Sequence, residues 1–244
     1  MNYDEMEDML KILGSAEETA SALADELARH IIMSALEKPF SIALSGGSTP
    51  KLLFQALAAR HSDSVDWRKV NLFWVDERCV PPDDPESNYG MTRDALLEKI
   101  DIPAACVFRI RGEDDPDSEA VRYSEVIERS VPWKNERPFF DVVLLGLGED
   151  GHTASIFPGN EYLFNAGETC VVAVNPYTGQ KRITITGMII NNAGAVIFLV
   201  SGKKKAEIVQ KIVCGGRQAE YPAGCILADG EVAFLVAKMR EGGL

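Results

Sequence analysis

An aspartate and a histidine two residues apart, at the end of a short apolar run, form the strongest chemical signal in this chain. Residues 142–145 are apolar and few enough for a buried strand, and a glycine-rich turn follows them. Asp150 and His152 lie at the end of that turn. Because histidine titrates near neutral pH, we expect His152 to act as a general base. Asp150 either orients the imidazole, contacts a substrate, or is a turn carboxylate that accepts bonds from backbone amides.

A second candidate site is the glycine turn after residues 40–45, which form a predicted apolar strand. The turn contains Gly46, Gly47, Ser48 and Thr49, with Thr49 as the expected helix N-cap and a proline as the first helical residue. A strand, a turn and a helix start direct free N–H groups toward one point, which favours a phosphate or a carboxylate. The alternative is a tight turn without a ligand.

Three charged residues, Asp76, Glu77 and Arg78, follow a predicted strand at residues 70–75. Charges at this position are usually a solvated strand end. The alternative is that Arg78 points into a cleft that it shares with the other polar segments.

The elements that position these residues alternate between strands and helices. Helices are expected at 16–36, from 87 onward, at 118–130 and at 203–213, and further strands at 107–110, 170–174, 182–186, 195–200, 226–227 and 232–236. This order predicts an α/β fold with a mostly parallel twisted sheet and helices on both faces. We expect one domain over residues 1–244, of which residues 1–14 are a loosely attached lead-in.

Four polar segments directly follow predicted strands: the Gly46 turn, the Asp76 triplet, the Asp150 turn and Lys203. Since the carboxyl ends of parallel strands meet at one edge of a sheet, ligands bind there. We therefore expect these segments to form one site. Arg182 begins its strand, so it reaches this edge only if that strand runs antiparallel or its loop folds over.

Composition excludes several kinds of partner. The net charge of −12 argues against nucleic acid and against an anionic membrane surface. The five cysteines form no CxxC pair and no zinc-type cluster, which fits reduced thiols. The acidic N-terminal segment lacks the features of a signal peptide, and no apolar stretch approaches the roughly 20 residues of a membrane helix. We expect a soluble, cytoplasmic protein.

The run Gly146-x-Gly148-x-x-Gly151 matches the dinucleotide-binding fingerprint after a strand. That fingerprint requires a full helix next, followed by a strand that ends in an acid. Pro158-Gly159 ends any helix after about two turns. The run therefore does not indicate nicotinamide cofactor binding.

Taken together, the motifs resemble the 6-phosphogluconolactonase family, within the larger group that includes glucosamine-6-phosphate deaminase. The matching stretches are residues 43–50, 74–81 with Ser87-Asn88-Tyr89, 145–158, 182–184 and 198–206, in the order of the family. The most specific of them is Asp-Gly-His-Thr-Ala-Ser at 150–155.

The resemblance implies a Rossmann-like single domain that hydrolyses 6-phospho-D-glucono-1,5-lactone in the pentose phosphate pathway, without a cofactor or a required metal. It implies His152 as the base with Asp150 beside it. By the same resemblance the residues that bind the sugar phosphate are Gly46, Gly47, Ser48, Thr49, Asp76, Arg78, Asn88, Gly148, Arg182 and Lys203. The family often has consecutive prolines before the Arg-Ile-Thr element, whereas this chain has Asn-Pro-Tyr-Thr-Gly-Gln-Lys at 175–181. A monomer or a small homo-oligomer is expected.

Three alternatives remain open. A serine nucleophile, Ser45, Ser48 or Ser155, is conceivable, although no G-x-S-x-G elbow is present. An amino-sugar phosphate deaminase would resemble this chain, but such relatives have a glutamate soon after the histidine, and residues 153–158 contain no acid. The third is a sugar-phosphate sensing module without turnover.

Overall fold

Twelve short strands form three sheets in a computed structural model of the protein, which describes residues 10–34, 38–214, 221–228 and 230–237. In chain order the strands are β1 (Leu10–Leu13), β2 (Phe40–Leu44), β3 (Val70–Trp74), β4 (Asp76–Arg78), β5 (Val107–Phe108), β6 (Trp133–Lys134), β7 (Arg137–Pro138), β8 (Val142–Leu145), β9 (Cys170–Val174), β10 (Lys181–Ile185), β11 (Ala195–Val200) and β12 (Glu231–Ala237). The largest sheet has seven strands in the order β1-β12-β11-β8-β2-β3-β5. Every neighbouring pair in it is parallel, which confirms the predicted α/β class with a mostly parallel sheet.

Six α-helices accompany the strands: α1 (Ala16–Ser34), α2 (Ser48–His61), α3 (Asn88–Ala95), α4 (Pro116–Ser130), α5 (Gly187–Asn191) and α6 (Lys203–Cys214). Short 3-10 helices lie at Trp67–Lys69, Leu97–Lys99, Ala104–Cys106, Glu161–Phe164 and Pro222–Cys225. Helix α1 starts with a capping box, in which Glu18 N donates to Ser15 Oγ at 3.2 Å and Ser15 N donates to Glu18 Oε2 at 2.6 Å. None of the helices in the described ranges is both long and apolar enough to cross a membrane.

The core of the protein is built on strands that are buried on both faces. All side chains of β2 and β8 are buried, as expected for strands inside a parallel sheet. Helix α2 adds Leu53, Phe54 and Leu57 to this core. Since each large apolar side chain contributes about 1.5–3 kcal/mol when it is fully buried, this layer holds the strand ends, and thus the loops after them, in fixed positions.

Two sequence-based expectations about the elements are wrong. Residues 10–13 are not part of a loose lead-in, since β1 pairs in parallel with β12 at the edge of the large sheet. Residues 226–227 form no strand, because a 3-10 helix precedes them and β12 begins only at Glu231. Two parts of the expected elements lie outside the described residues, namely 1–9 of the lead-in and 35–36 of the first helix. The single domain over 1–244 stays a prediction.

A second sheet, which the sequence did not predict as such, lies beside the site. Strands β4, β10 and β9 pair antiparallel in that order, with Arg182 opposite Arg78. Val75 connects the two sheets, because its N–H donates to Leu44 O of the large sheet and its carbonyl accepts from Ile185 N of the small one. The antiparallel direction of β10 fulfils the condition under which Arg182 reaches the shared edge.

The order of the strands reverses between β2 and β8. From β2 the chain proceeds to β3 and β5 on one side, and from β8 it proceeds to β11 and β12 on the other. Such a switch point opens a crevice at the carboxyl ends of the two central strands, where ligands of open α/β sheets bind. The Gly46 turn follows β2 and the Asp150 turn follows β8.

Candidate active site

A pocket of about 180 Å³ lies at this switch point. Ten of the predicted site residues line it: Gly46, Gly47, Ser48, Thr49, Asp76, Arg78, Asn88, Gly148, His152 and Arg182. They come from the turn after β2 with the start of α2, from the turn after β8, from the small antiparallel sheet and from the start of α3. Three of the four segments that were expected to form one site, the Gly46 turn, the Asp76 triplet and the Asp150 turn, therefore contribute to one pocket.

His152 and Asp150 form a hydrogen-bonded pair beside the pocket. Nδ1 of His152 lies 2.5 Å from Oδ1 of Asp150, which also accepts from the backbone N–H of His152 at 3.1 Å. Burial raises the pKa of the Asp150 carboxyl, but its bonds to His152 and Tyr177 outweigh burial and bring the pKa well below its usual range. Because the ionised carboxylate only accepts, the proton of a neutral imidazole belongs on Nδ1, and Nε2 is left as the basic nitrogen.

Glycines allow the turn after β8 to close this tightly around the pair. An ideal Cβ at Gly148 would overlap Nδ1 and Cε1 of His152 and lie 2.5 Å from Oδ1 of Asp150. Gly151 has φ +83°, and a Cβ there would overlap the ring of Tyr221. The ring of Phe157 packs against the imidazole, with centroids 4.6 Å apart. The close approach of the His152–Asp150 pair thus requires a glycine at position 148.

The turn after β2 brings the N-terminus of helix α2 to the pocket. The helix begins at Ser48 with Gly47, at φ 110°, as its N-cap, so the prediction of Thr49 as the N-cap is wrong. Thr49 Oγ1 is instead 2.8 Å from Ser201 Oγ, which joins this turn to the loop after β11. Since the first N–H groups of a helix lack intrahelical acceptors, the start of α2 favours an anion in the pocket.

Arg78 and Arg182 place two guanidinium groups on the pocket wall. They are directly opposite each other on β4 and β10, an arrangement in which like charges destabilise a sheet. Arg78 Nη1 donates to Glu86 O at 2.5 Å, and Arg182 Nη1 lies 3.9 Å from Asp76 Oδ2. The buried Nε atoms of both arginines have no hydrogen-bond partner among the described residues. Burial lowers the pKa of Arg182, and Arg78 lowers it further against the opposing effect of Asp76. The two positive charges on the pocket wall favour an anion in the pocket.

Asp76 connects the segments around this pair of arginines. Its Oδ2 accepts from Ser155 Oγ at 2.6 Å, and Asn88 Nδ2 donates to its backbone carbonyl at 2.8 Å. The Asn88 side chain lies against Gly46, where an added Cβ would overlap Oδ1. Ser155 is fully buried and donates to Asp76, which leaves it outside the pocket and argues against it as a nucleophile.

Two predicted site residues, Asp150 and Lys203, do not line the pocket, although Asp150 is hydrogen-bonded to His152, which does. Lys203 is exposed and absent from the pocket lining, whereas Lys205 lies in it. The signal that would have identified Lys205 is helical spacing, since it precedes the buried Ile208 and Val209 by three and four residues and so shares their face. Sequence reasoning also missed Tyr177, whose hydroxyl donates to Asp150 Oδ2 at 2.9 Å.

The described part of the chain holds no group of three or more His, Cys, Asp or Glu side chains that could bind a metal ion. The expected lack of a cofactor and of a required metal stays a prediction.

The fold and the pocket define a class: an α/β protein with a histidine–aspartate pair and cationic side chains around one crevice at the switch point of a parallel sheet. Comparisons with known proteins make the class specific. A family model described as Glucosamine-6-phosphate isomerases/6-phosphogluconolactonase matches residues 14–234. The chain belongs to this family.

Curated relatives and solved structures agree with the family model. The 6-phosphogluconolactonase of Haemophilus influenzae is 41% identical over 213 residues, which cover 86% of this chain and 90% of the relative. That of Treponema pallidum is 47% identical over 171 residues, 70% of this chain and 71% of the relative. The solved structure of 6-phosphogluconolactonase from Trypanosoma brucei has a TM-score of 0.83 and 32% identity, covering 94% of this chain and 95% of that one.

Proposed function

We propose that this protein is an enzyme that hydrolyses 6-phospho-D-glucono-1,5-lactone to 6-phospho-D-gluconate in the oxidative pentose phosphate pathway. The observation that carries the proposal is that His152, hydrogen-bonded to Asp150, lines the same pocket as Arg78 and Arg182. The names of the similar proteins support it, because the curated relatives and the solved structure cited above are 6-phosphogluconolactonases.

The anionic end of the substrate binds at the cationic side of the pocket. Arg78 and Arg182 line the pocket with guanidinium groups, which suit phosphate oxygens, and Lys205 adds a third positive charge to the lining. The N–H groups at the start of α2 contribute further donors. Binding of the phosphate fixes the lactone ring relative to His152, and such positioning lowers the barrier of a reaction with water.

Hydrolysis then needs a base and a proton donor, and His152 serves as both. Nε2 takes a proton from water while the water oxygen forms a bond to C1 of the lactone. The tetrahedral intermediate collapses with cleavage of the bond between C1 and the ring oxygen. The imidazolium returns its proton to that oxygen, which becomes a hydroxyl group. Asp150, held ionised, keeps the imidazole in the required tautomer and stabilises its protonated form.

A direct lactonase assay on the wild type and on His152→Ala tests the proposal. Loss of the base should lower kcat at least about a hundredfold, since general base catalysis contributes roughly 10²–10⁴-fold. The fold should persist, because the side chain is 28% exposed and belongs to a turn. Near-normal hydrolysis by the variant, after subtraction of spontaneous lactone opening, would refute the role of His152.

The proposal also covers specificity and location. Release of ammonia from an amino-sugar phosphate would support the deaminase alternative instead, and phosphate-dependent binding without a product would support the sensing module. We place the activity in the cytoplasm of its cell, in a monomer or a small homo-oligomer, which size-exclusion chromatography with light scattering would test.

A further inference from the structure

The hairpin loop at residues 175–180, between β9 and β10, is the segment in which this chain departs from the proline-rich family pattern. The loop is internally well bonded. Asn175 Oδ1 accepts from Tyr177 N at 2.9 Å and Thr178 N at 3.3 Å, and Asn175 O accepts from Gly179 N at 2.9 Å. Gly179 has φ 73°, which closes the turn. The backbone of this hairpin therefore holds the side chain of Tyr177 at a defined position.

From this loop, two side chains reach residues that are themselves bonded to His152 and to Arg78, both of which line the pocket. Tyr177 Oη donates to Asp150 Oδ2 at 2.9 Å, on the side of the base. Gln180 Nε2 donates to Glu86 Oε2 at 2.9 Å, and the backbone carbonyl of Glu86 accepts from Arg78 on the cationic side. The hairpin thus connects the two parts of the site that bind and activate the substrate.

Packing does not explain the position of Tyr177. The residue is 69% exposed, so its ring buries little apolar surface, and its specific contact is the hydroxyl bond to the carboxylate. Asp150 Oδ1 is already engaged by His152 Nδ1 and the His152 amide. The bond from Tyr177 engages the second oxygen, so that rotation of the carboxylate would break contacts at both oxygens.

We propose that Tyr177 is a positioning residue of the reaction: its hydroxyl fixes the rotamer of Asp150 and thereby the orientation of His152. This inference rests on the proposed function, since it assigns Tyr177 a role in the chemistry of His152. The hydrogen bond also withdraws negative charge from Asp150, which weakens the support that the carboxylate gives to a protonated imidazole. The other charged or titratable groups around this pair are Glu149 with its partner Lys204, Tyr221, and Asp76, Arg78, Arg182 and Lys205 in the pocket.

The test is Tyr177→Phe, which removes the hydroxyl and keeps the ring. We expect kcat to fall about three- to tenfold, as for loss of one partly exposed bond to a charged group, with KM changed less than twofold. The acidic limb of the kcat/KM profile should move to higher pH, because Asp150 then stabilises the imidazolium more strongly. A merely structural role of the tyrosine would not move this limb. Tyr162→Phe is the matched control, since Tyr162 is 67% exposed and lies in the 3-10 helix Glu161–Phe164; it should leave kcat and the pH profile unchanged.

The outcomes separate this inference from the proposed function. If the wild type hydrolyses the lactone and Tyr177→Phe has the same kcat and the same acidic limb, the positioning role is overturned while the lactonase assignment stands. If the wild type hydrolyses no lactone, the quantity to measure is instead the chemical shift of the downfield proton resonance of His152 Nδ1–H. A shift of this resonance in Tyr177→Phe but not in Tyr162→Phe would support the positioning role, and an unchanged resonance would overturn it.

Discussion

Substitution of Gly148 by alanine tests whether the geometry of the His152–Asp150 pair controls the rate. The added Cβ would overlap two atoms of the imidazole and lie 2.5 Å from Oδ1 of Asp150, whereas ordinary contacts of a Cβ are 3.4–4 Å. The overlap is with side chains at the open edge of a pocket, so the side chains move rather than the strand. Relief of the overlap requires a displacement of about 1 Å, and misplacement of this size costs about 10²-fold in rate. Such a loss corresponds to about 2.7 kcal/mol of transition-state stabilisation.

Steady-state hydrolysis of the phosphorylated lactone, followed by acid release and corrected for spontaneous opening, measures the effect. We expect the loss in kcat, with KM within about threefold, because the added Cβ meets His152 and Asp150 and neither Arg78 nor Arg182 is among the atoms nearest to it. Gly167→Ala is the control, since a Cβ there meets no atom within 4 Å and the backbone needs no positive φ. A Gly148→Ala protein with a kcat within threefold of the wild type would show that the observed pair geometry is not what sets the rate.

Two further predictions concern charge. Arg182→Ala and Lys205→Ala should each raise KM for the phosphorylated lactone about tenfold or more, because each removes a cation from the pocket, while Lys203→Ala stays within twofold. The same KM increases with unphosphorylated gluconolactone would contradict an anion-binding role. For Asp150, the folded-state pKa lies below its ordinary value, so its stabilising contribution is present above about pH 4 and is lost as the pH falls through the folded pKa. Asp150→Asn should therefore be less stable than the wild type by about 1 kcal/mol at pH 5–7 in urea denaturation, with the difference shrinking toward pH 3; a difference that grows on acidification would contradict this sign.

The large sheet could be predicted because its strands carry a strong pattern. The continuous apolar runs of β2, β8 and β11, each followed by glycine or polar residues, are typical of strands buried on both faces. Since parallel strands end at one edge, the location of the site followed from the order of elements alone. The proposal of His152 as the base came from its residue type and its place in the glycine turn.

The small sheet could not be predicted as a unit, because β4 consists of Asp76, Glu77 and Arg78 and has no apolar pattern. Long-range partners stabilise it instead: Glu77, 2% exposed, accepts from the backbone amides of Arg78, Asn88 and Tyr89 at 2.8 Å and from Ser87 Oγ at 3.0 Å. Strand β1 was missed for a similar reason, as its four residues are only partly buried and rely on β12 for pairing.

Two predictions were wrong by one or two residues at the starts of helices, where a small shift along the helix changes which side chain faces inward. Lys203 and Lys205 have the same chemistry and differ only in the face of α6 that they occupy. The start of α2 was placed one residue or more too late, because Thr49 before a proline satisfies the usual capping preference while the backbone turn at Gly47 already sets the helix direction.

The single-residue link at Val75 has a consequence for how this site tolerates insertions and deletions. Successive residues of a strand face opposite sides, and Asp76 and Arg78 line the pocket while the side chain of Glu77 points to the start of α3. One residue added or removed between the two sheets would exchange these faces, turning a carboxylate toward the bound anion and a guanidinium into the interior. The number of residues between the large parallel sheet and the small antiparallel sheet can therefore not change by one without reversing these side chains. Related enzymes should accordingly differ in length after Arg78 or before Arg182 rather than at Val75.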